Sequence, residues 1–395
     1  MRKVLEKIVE SIFTVSGFVT SIVIVVVVIF LFSGGIHLFK SPTIEAGYMI
    51  AVHPSNPVNN LSATDLKSIF DLEKNNWKDF GGKNEEILVF RLGDLTSYFS
   101  EEELGDELEF VPDKISQLVK ENKGIIAFIP EEYVLDNFSG KKIDAGKISV
   151  ADVFTGKDWM PVAQPAPLFG ILPLIMGTLW VSFIAILIAL PFGLSVAVFM
   201  SEIANSKVRN VLKPIIELLS AIPSVVYGFF GLVVVVPLIQ DIFGLPVGET
   251  GLTGSFILSI MSLPTIISVS EDAIRNCPVS IREASLSLGA NQWQTIYKIV
   301  IPSSISGITA GVILGIGRAI GETMAVLMVT GNSAIIPVSI LQPMRTIPAT
   351  IAAELGEVPA GSAHYQVLFL LGIILFLITL LINTCIEYVS NKNKL

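Results

Sequence analysis

Six runs of the chain are long and apolar enough to cross a lipid bilayer, and this feature excludes most of what 395 residues can otherwise become. A hydrocarbon core about 30 Å thick needs roughly 20 consecutive apolar residues in a helix. Residues 12–33, 168–200, 214–240, 254–270, 303–331 and 366–388 meet that length or come near it. Composition agrees, with 52% of residues hydrophobic and 15% charged, where an ordinary soluble domain carries about 25% charge. The expected fold class is an α-helical polytopic membrane protein of six transmembrane helices. The first run is uncharged from Ile12 to Phe32 and is followed by Ser33-Gly34-Gly35 with no small-x-small cleavage pattern, so it is expected to be a retained span rather than a secretory signal.

The one long polar stretch, 34–167, holds 13 Lys and Arg against 22 Asp and Glu, which accounts for the whole formal charge of −9. It is long enough to bury a core of its own and is expected to be an inserted acidic soluble domain. Tyr48 to Val52, Ile87 to Phe90 and Gly124 to Ile129 suit strands, and 62–70 and 113–121 suit capped helices, which together make an α/β unit. The expected division is thus a membrane helix at 1–33, the insertion at 34–167 and a membrane core at 168–395 with a cytoplasmic loop at 271–302.

Orientation follows from basic residues in the short loops and flanks. Eleven of them, from Arg2, Lys3 and Lys7 through Lys207, Arg209, Lys213, Arg275, Arg282 and Lys298 to Lys392 and Lys394, fall on one side, and only Arg345 on the other. Both termini are therefore expected in the cytoplasm and 34–167 outside. The acidic balance disfavours a nucleic-acid partner. Cys277 and Cys385 are too few for a disulfide framework and lack metal-ligand spacing. His37, His53 and His364 read as exposed loop histidines without a nucleophile beside them, so no catalytic residue and no metal are expected. The chain has no Gly-x-x-x-x-Gly-Lys-Ser/Thr phosphate loop.

The fifth run carries the most chemistry. Gly307, Gly311 and Gly315 recur every four residues, a small-residue stripe that lets membrane helices approach closely. On a continuous helix, Gly311, Gly315, Arg318 and Glu322 fall within roughly 60° of one another. A charge at membrane depth costs at least ~2.5–3.5 kcal/mol and usually faces a bundle interior or a water-filled route. Arg318 and Glu322, at i and i+4, are expected to pair, either to lock two helices or to present a fixed cation to an anion in transit, with Glu322 limiting how tightly it binds. Thr323 follows directly. In the third run Pro223 is expected to kink a helix beside Ser224 and Tyr227, which could line a path. The loop 271–302 reads as a short helix capped by Ser280 with Glu283 in the first turn, ended by Gly289 and followed by a second amphipathic segment.

Glu283-Ala284-Ser285, Gly289 six residues after the Glu, then Ile299 and Pro302, resemble the E-A-A-x3-G-x9-I-x-L-P loop of ATP-binding-cassette (ABC) importer permeases, with Ser285 for the second Ala and Ile301 for the Leu. In that family the loop docks on a cytoplasmic ATPase, so the resemblance implies a type I importer permease fold and coupling through Glu283, Ala284, Ser285 and Gly289. Ile222 to Gly228, Gly317 to Val326 and Phe154 to Pro161 resemble the phosphate-specific (Pst-type) permeases, closer to their "C" subunit. That resemblance implies a permease for inorganic phosphate with Arg318, Glu322, Thr323, Ser224 and Tyr227 along its route. Its partners would be a second permease subunit, an ATPase dimer holding ATP and Mg, an external phosphate-binding protein and membrane lipid. An Arg in the route would serve sulfate, molybdate or tungstate as well; a membrane phosphate sensor is the other alternative, though six spans without a cytoplasmic output domain speak against it.

The insertion resembles part of a phosphate-binding protein at Ser55 to Val58, Leu61 to Phe70, Asn76 to Gly82, Ile87 to Arg91 and Gly124 to Pro130. Such receptors hold phosphate with an Arg and a Ser-Gly-Thr stretch. Here Leu95 and Thr96 stand where Ser and Gly would be, and Asp94 adds a negative charge. A reduced module that docks a partner is the leading expectation, against a surviving weak phosphate site or a structural cover.

Overall fold

The computed structural model describes residues 2–105 and 108–392, and the chain separates into two compact units, Met1–Gly35 with Ile171–Leu395, and Ile36–Gly170. Lys394 of the basic C-terminal flank lies outside the described residues, as do the side chains of Arg2, Lys3, Lys7 and Lys392. Helix α1 (Arg2–Ile36) has no proline to break it, and its apolar side chains from Ile12 to Val27 are exposed, as suits a helix whose solvent is lipid. Near its end Gly34 and Gly35 bring it against Phe369, Leu370 and Ile373 of the last helix, and the Phe30 ring meets Phe369 edge-on at 5.3 Å between centroids.

The second unit is built on a four-stranded sheet. In chain order it contains β1 (Tyr48–Val52), α2 (Ala63–Phe70), β2 (Leu88–Arg91), α3 (Val111–Glu121), β3 (Ile125–Pro130), β4 (Lys141–Ile143), α4 (Val150–Thr155) and a small pair, β5 (Trp159–Met160) and β6 (Leu168–Phe169). The sheet order is β2-β3-β1-β4, with β1 antiparallel to both neighbours and β2 parallel to β3. Strand alternation divides the core. Ile50, Val52, Ile126 and Phe128 face Leu66, Ile69 and Phe70 of α2, while Met49, Ala51, Ala127 and Ile129 face Ile115 and Val119 of α3. Ser62 and Asp65 form the capping box that starts α2. Helix α3 begins at Val111 rather than 113 because Pro112 fits the first turn, where its missing N–H costs nothing. Strand β4, with Lys141 and Lys142 in a three-residue edge strand, carries no apolar alternation from which to foresee it.

The membrane unit continues with α5 (Leu172–Val198), which runs into a π-helical turn at Phe199–Ile203, and α6 (Ser206–Ala221). Helix α7 (Ser224–Phe230) passes through a π-helical turn at Gly231–Val235 to Val236–Phe243. Then come α8 (Gly251–Arg275), α9 (Val279–Ser287), α10 (Ile305–Gly321), α11 (Met324–Val329), α12 (Ile347–Glu354) and α13 (Ala363–Lys392). Among the described residues five helices have the length and apolarity to cross a membrane, and a sixth crossing counts Gln292–Ser303 together with α10, which meet at 70°.

Two expected helices are broken. Pro223 does not kink a continuous third helix; α6 ends at Ala221, Ile222 and Pro223 are extended, and a new helix starts at Ser224. The proline ring drives the residue before it out of the helical region, and α6, with Lys207, Arg209 and Lys213, is amphipathic, so the apolar span is Ser224–Phe243 instead of 214–240. The fifth run is likewise interrupted: α10 stops at Gly321 and Glu322 turns extended, with ψ 132°.

Helix α8 is the buried axis of this unit, lined by small side chains such as Thr253, Gly254, Ser255 and Ser262. The glycine stripe of α10 lies against it: a Cβ at Gly307 would strike Ala273, one at Gly311 would sit 3.0 Å from Ser270 Oγ, and one at Gly315 would sit 2.7 Å from Ile266. Replacement Gly315→Leu is expected to cost about 1–3 kcal/mol by overpacking this seam and to lower the melting temperature of the detergent-solubilised protein. An unchanged melting temperature would mean that the two helices separate freely.

Candidate functional site

Arg318 stands on the last turn of α10, half-buried between the buried neighbours Gly315 and Ala319, and among the described residues no hydrogen bond or ion pair engages its guanidinium. The next residue, Ala319, shares a core cluster with Ala325, Val326 and the buried ring of Tyr227 of α7, whose hydroxyl donates to the Leu219 carbonyl at 2.8 Å. Ser224, the first residue of α7, is partly exposed.

The expected Arg318–Glu322 pair is absent among the described residues. Four-residue spacing brings side chains together only while the helix continues, and here it ends one residue before Glu322. The carboxylate turns to the start of α11 and accepts from the Ala325 N–H at 3.4 Å, where unbonded amides gather and favour negative charge. Thr323 fills the break and donates its hydroxyl to the Gly321 carbonyl at 3.2 Å. The structure therefore brings Arg318 and Tyr227 near one another, and places Glu322 and Thr323 at a bend immediately after them.

Helix α9 starts at Val279 with Pro278 as its cap, so Ser280 lies inside the first turn rather than at the cap. Its end is a Schellman turn: Gly289, at φ +86°, donates to Leu286 and Ala290 donates to Ser285. No side chain on α9 is fully buried; Glu283 and Ala284 are exposed, and Ser285 Oγ lies 2.9 Å from Thr295 Oγ1.

Three charged clusters escaped the sequence reading. Glu271, completely buried near the end of α8, meets Arg209 at 2.8 Å and Lys213 at 2.9 Å, and Lys213 also meets Asp272 at 2.8 Å. The i, i+4 spacing of Arg209 and Lys213 on α6 was a usable signal that both face one way. Bonding to Asp272 first and Glu271 second holds the Lys213 ammonium above its ordinary value. Arg282 meets Glu202 at 2.8 Å. Arg345 and His364 both meet Glu354, at 2.9 and 2.8 Å, so His364 is a half-buried partner in the first turn of α13 and not an exposed loop residue. His53 is also engaged, with Ser55 Oγ at 2.8 Å and the Lys120 carbonyl at 3.1 Å.

In the second unit, Arg91 is spent on structure. Its Nη2 donates to the Phe70 carbonyl at 2.7 Å, and its guanidinium lies over the Phe70 ring. Asp94 accepts from the Arg91 N–H at 2.9 Å, and the helix that follows, Leu95–Tyr98, is a single turn. The Asp94 carboxylate thus occupies the backbone N–H at the start of this turn.

Residues 189–394 match the family described as binding-protein-dependent transport system inner membrane component, and 32–168 match a PBP superfamily domain. The chain is similar to a probable ABC transporter permease protein, YqgH, of Bacillus subtilis, 40% identical over 62% of this chain and 80% of the relative. It is similar to the phosphate transport system permease protein PstC of Mesorhizobium japonicum, 38% identical over 59% of this chain and 76% of the relative. Among solved structures, an ABC-type phosphate transport receptor from Vibrio cholerae is 25% identical over 27% of this chain and 50% of that one, with a TM-score of 0.20.

Replacement Glu271→Ala is expected to destabilise the solubilised protein by about 3 kcal/mol, because it leaves Arg209 and Lys213 facing each other without the buried carboxylate. Thermal unfolding checks this. The Lys213 share of the cluster's stability should be complete below its unfolded pKa of 10.5 and should fade only as pH rises through the raised folded value.

Proposed function

The chain belongs to the family of binding-protein-dependent transport system inner membrane components, and we propose that it is the permease subunit of an ATP-driven ABC importer for inorganic phosphate. It is a multi-pass membrane protein and performs no covalent chemistry itself. Hydrolysis belongs to a cytoplasmic ABC ATPase dimer that holds ATP and Mg, which docks on α9 at Glu283, Ala284 and the turn at Gly289. A second permease subunit completes the pore, and an external phosphate-binding protein delivers the substrate. Both termini face the cytoplasm, as the distribution of Lys and Arg supports, and the inserted domain faces outward. Relatives that carry the phosphate name favour phosphate over sulfate, molybdate or tungstate, which an arginine would serve equally.

The observation that carries the assignment is Arg318, a cation on an apolar helix with no carboxylate beside it among the described residues. A planar guanidinium can donate two parallel bonds to a phosphate oxygen pair. The carbonyl end of α10 offers the cation a partial negative charge in place of Glu322. This steadies Arg318 without neutralising it, so an arriving anion is attracted and can still leave. The bend at Glu322 and Thr323 provides the non-helical backbone that membrane proteins tolerate where it lines a cavity.

The inserted domain is a docking module for the receptor or a partner subunit, a reading supported by the commitment of Arg91 to Phe70 and by Asp94 beside it. Titration of the purified full-length Arg318→Gln chain with phosphate is expected to show no saturation at micromolar concentrations; saturable binding there would restore the insertion as a phosphate site.

In cells carrying the whole system, Arg318→Gln is expected to reduce labelled-phosphate uptake by at least about tenfold, since bonds to a charged group are worth about 1.5–3 kcal/mol. The subunits should still co-purify. Unchanged uptake would remove Arg318 from the route.

A further inference from the structure

We propose that Arg282 is the positioning residue that makes α9 move as one body with α5 and α8, so that force applied to the exposed face of α9 reaches the membrane helices; this rests on the importer assignment above. Arg282 precedes Glu283 in sequence but its side chain is only 18% exposed. Nη1 donates to the Cys277 carbonyl at 2.6 Å, and Nη2 donates to the Ile274 carbonyl at 2.8 Å and to Glu202 Oε1 at 2.8 Å. The two carbonyls belong to the last turn of α8 and the residues just past it, where acceptors lack intrahelical partners. Glu202 lies in the π-helical turn that ends α5.

Glu202 is itself fixed from two sides. Its carboxylate accepts the Ser201 hydroxyl at 3.0 Å, and its carbonyl accepts from Gln292 Nε2 at 3.1 Å, on the segment that follows α9. One guanidinium therefore joins α9 to the ends of two membrane helices, while Gln292 fastens the far side. Three bonds in one fork need the planar, multi-donor guanidinium; a lysine ammonium on a flexible stem does not reproduce the arrangement. Helix α8 is in turn the element against which the α10 glycines pack, and Arg318 stands on α10. Without Arg282, α9 retains its own helical bonds and its Gly289 turn. It would then pivot between Pro278 and Gly289 instead of carrying α5 and α8 with it.

The test uses the assembled importer in liposomes, with ATP hydrolysis and labelled-phosphate uptake measured together. For Arg282→Gln the ATPase is expected to stay bound and hydrolyse, while phosphate carried per ATP falls about tenfold or more, the scale of losing charge-assisted bonds. Glu202→Gln, which keeps an accepting oxygen, should fall less, and Arg282→Lys should recover only part of the loss. Hydrogen exchange, read without substrate, is expected to quicken at 279–287 in Arg282→Gln and to stay unchanged at 251–275. Unchanged coupling, loss of the ATPase from the complex, or a parallel fall of hydrolysis and uptake would each overturn the proposal. Absence of phosphate uptake by the wild type would instead sink the importer assignment, and the exchange measurement would then judge Arg282 alone, unchanged exchange at 279–287 overturning it.

Discussion

A charge placed among apolar helices must be answered or used, and the membrane unit is organised around that constraint. Arg209 and Lys213 close on Glu271, Arg282 on Glu202, and Arg345 on Glu354, each at 2.8 or 2.9 Å. The first two groups tie the end of one helix to another, and Glu354 at the end of α12 reaches α13 through His364. Arg318 is the half-buried cation left outside this pattern among the described residues, and the helix that carries it ends one turn later. The same break that separates Arg318 from Glu322 turns the carboxylate to the Ala325 N–H at the start of α11.

The inserted domain obeys different rules. It has a sheet covered on both faces, a capping box on α2, and a buried Trp77 whose indole donates to the Gly124 carbonyl at 2.8 Å. Its core is complete, yet its sole arginine is tied to a carbonyl and flanked by a carboxylate. The unit matches a PBP superfamily domain over 32–168, and within it Arg91 is engaged by the fold itself.

How far the sequence was legible depended on the range of the interactions involved. Apolar length marked the crossings, since that signal is local, and strand alternation marked β1, β2 and β3. Residue spacing misled where it assumed a continuous helix: the Arg318–Glu322 pair and the Pro223 kink both required one, and neither survives the breaks at 322 and 222. The short strand β4 was not foreseen and the Ser280 cap was misplaced, because local composition did not distinguish them. The partners of Glu271 and Arg282 were invisible for a different reason. Glu271 is 58 residues from Lys213 and Arg282 is 80 from Glu202, so only the packed structure brings them together.

The most direct test of the central claim is the chemical accessibility of the bend beside Arg318. In a Thr323→Cys variant that keeps Arg318 and carries Cys277→Ser and Cys385→Ser, the account predicts that an anionic thiol reagent modifies the new cysteine in the assembled importer and that phosphate slows this modification. A cysteine that never reacts, or that reacts at the same rate with and without phosphate, would contradict it.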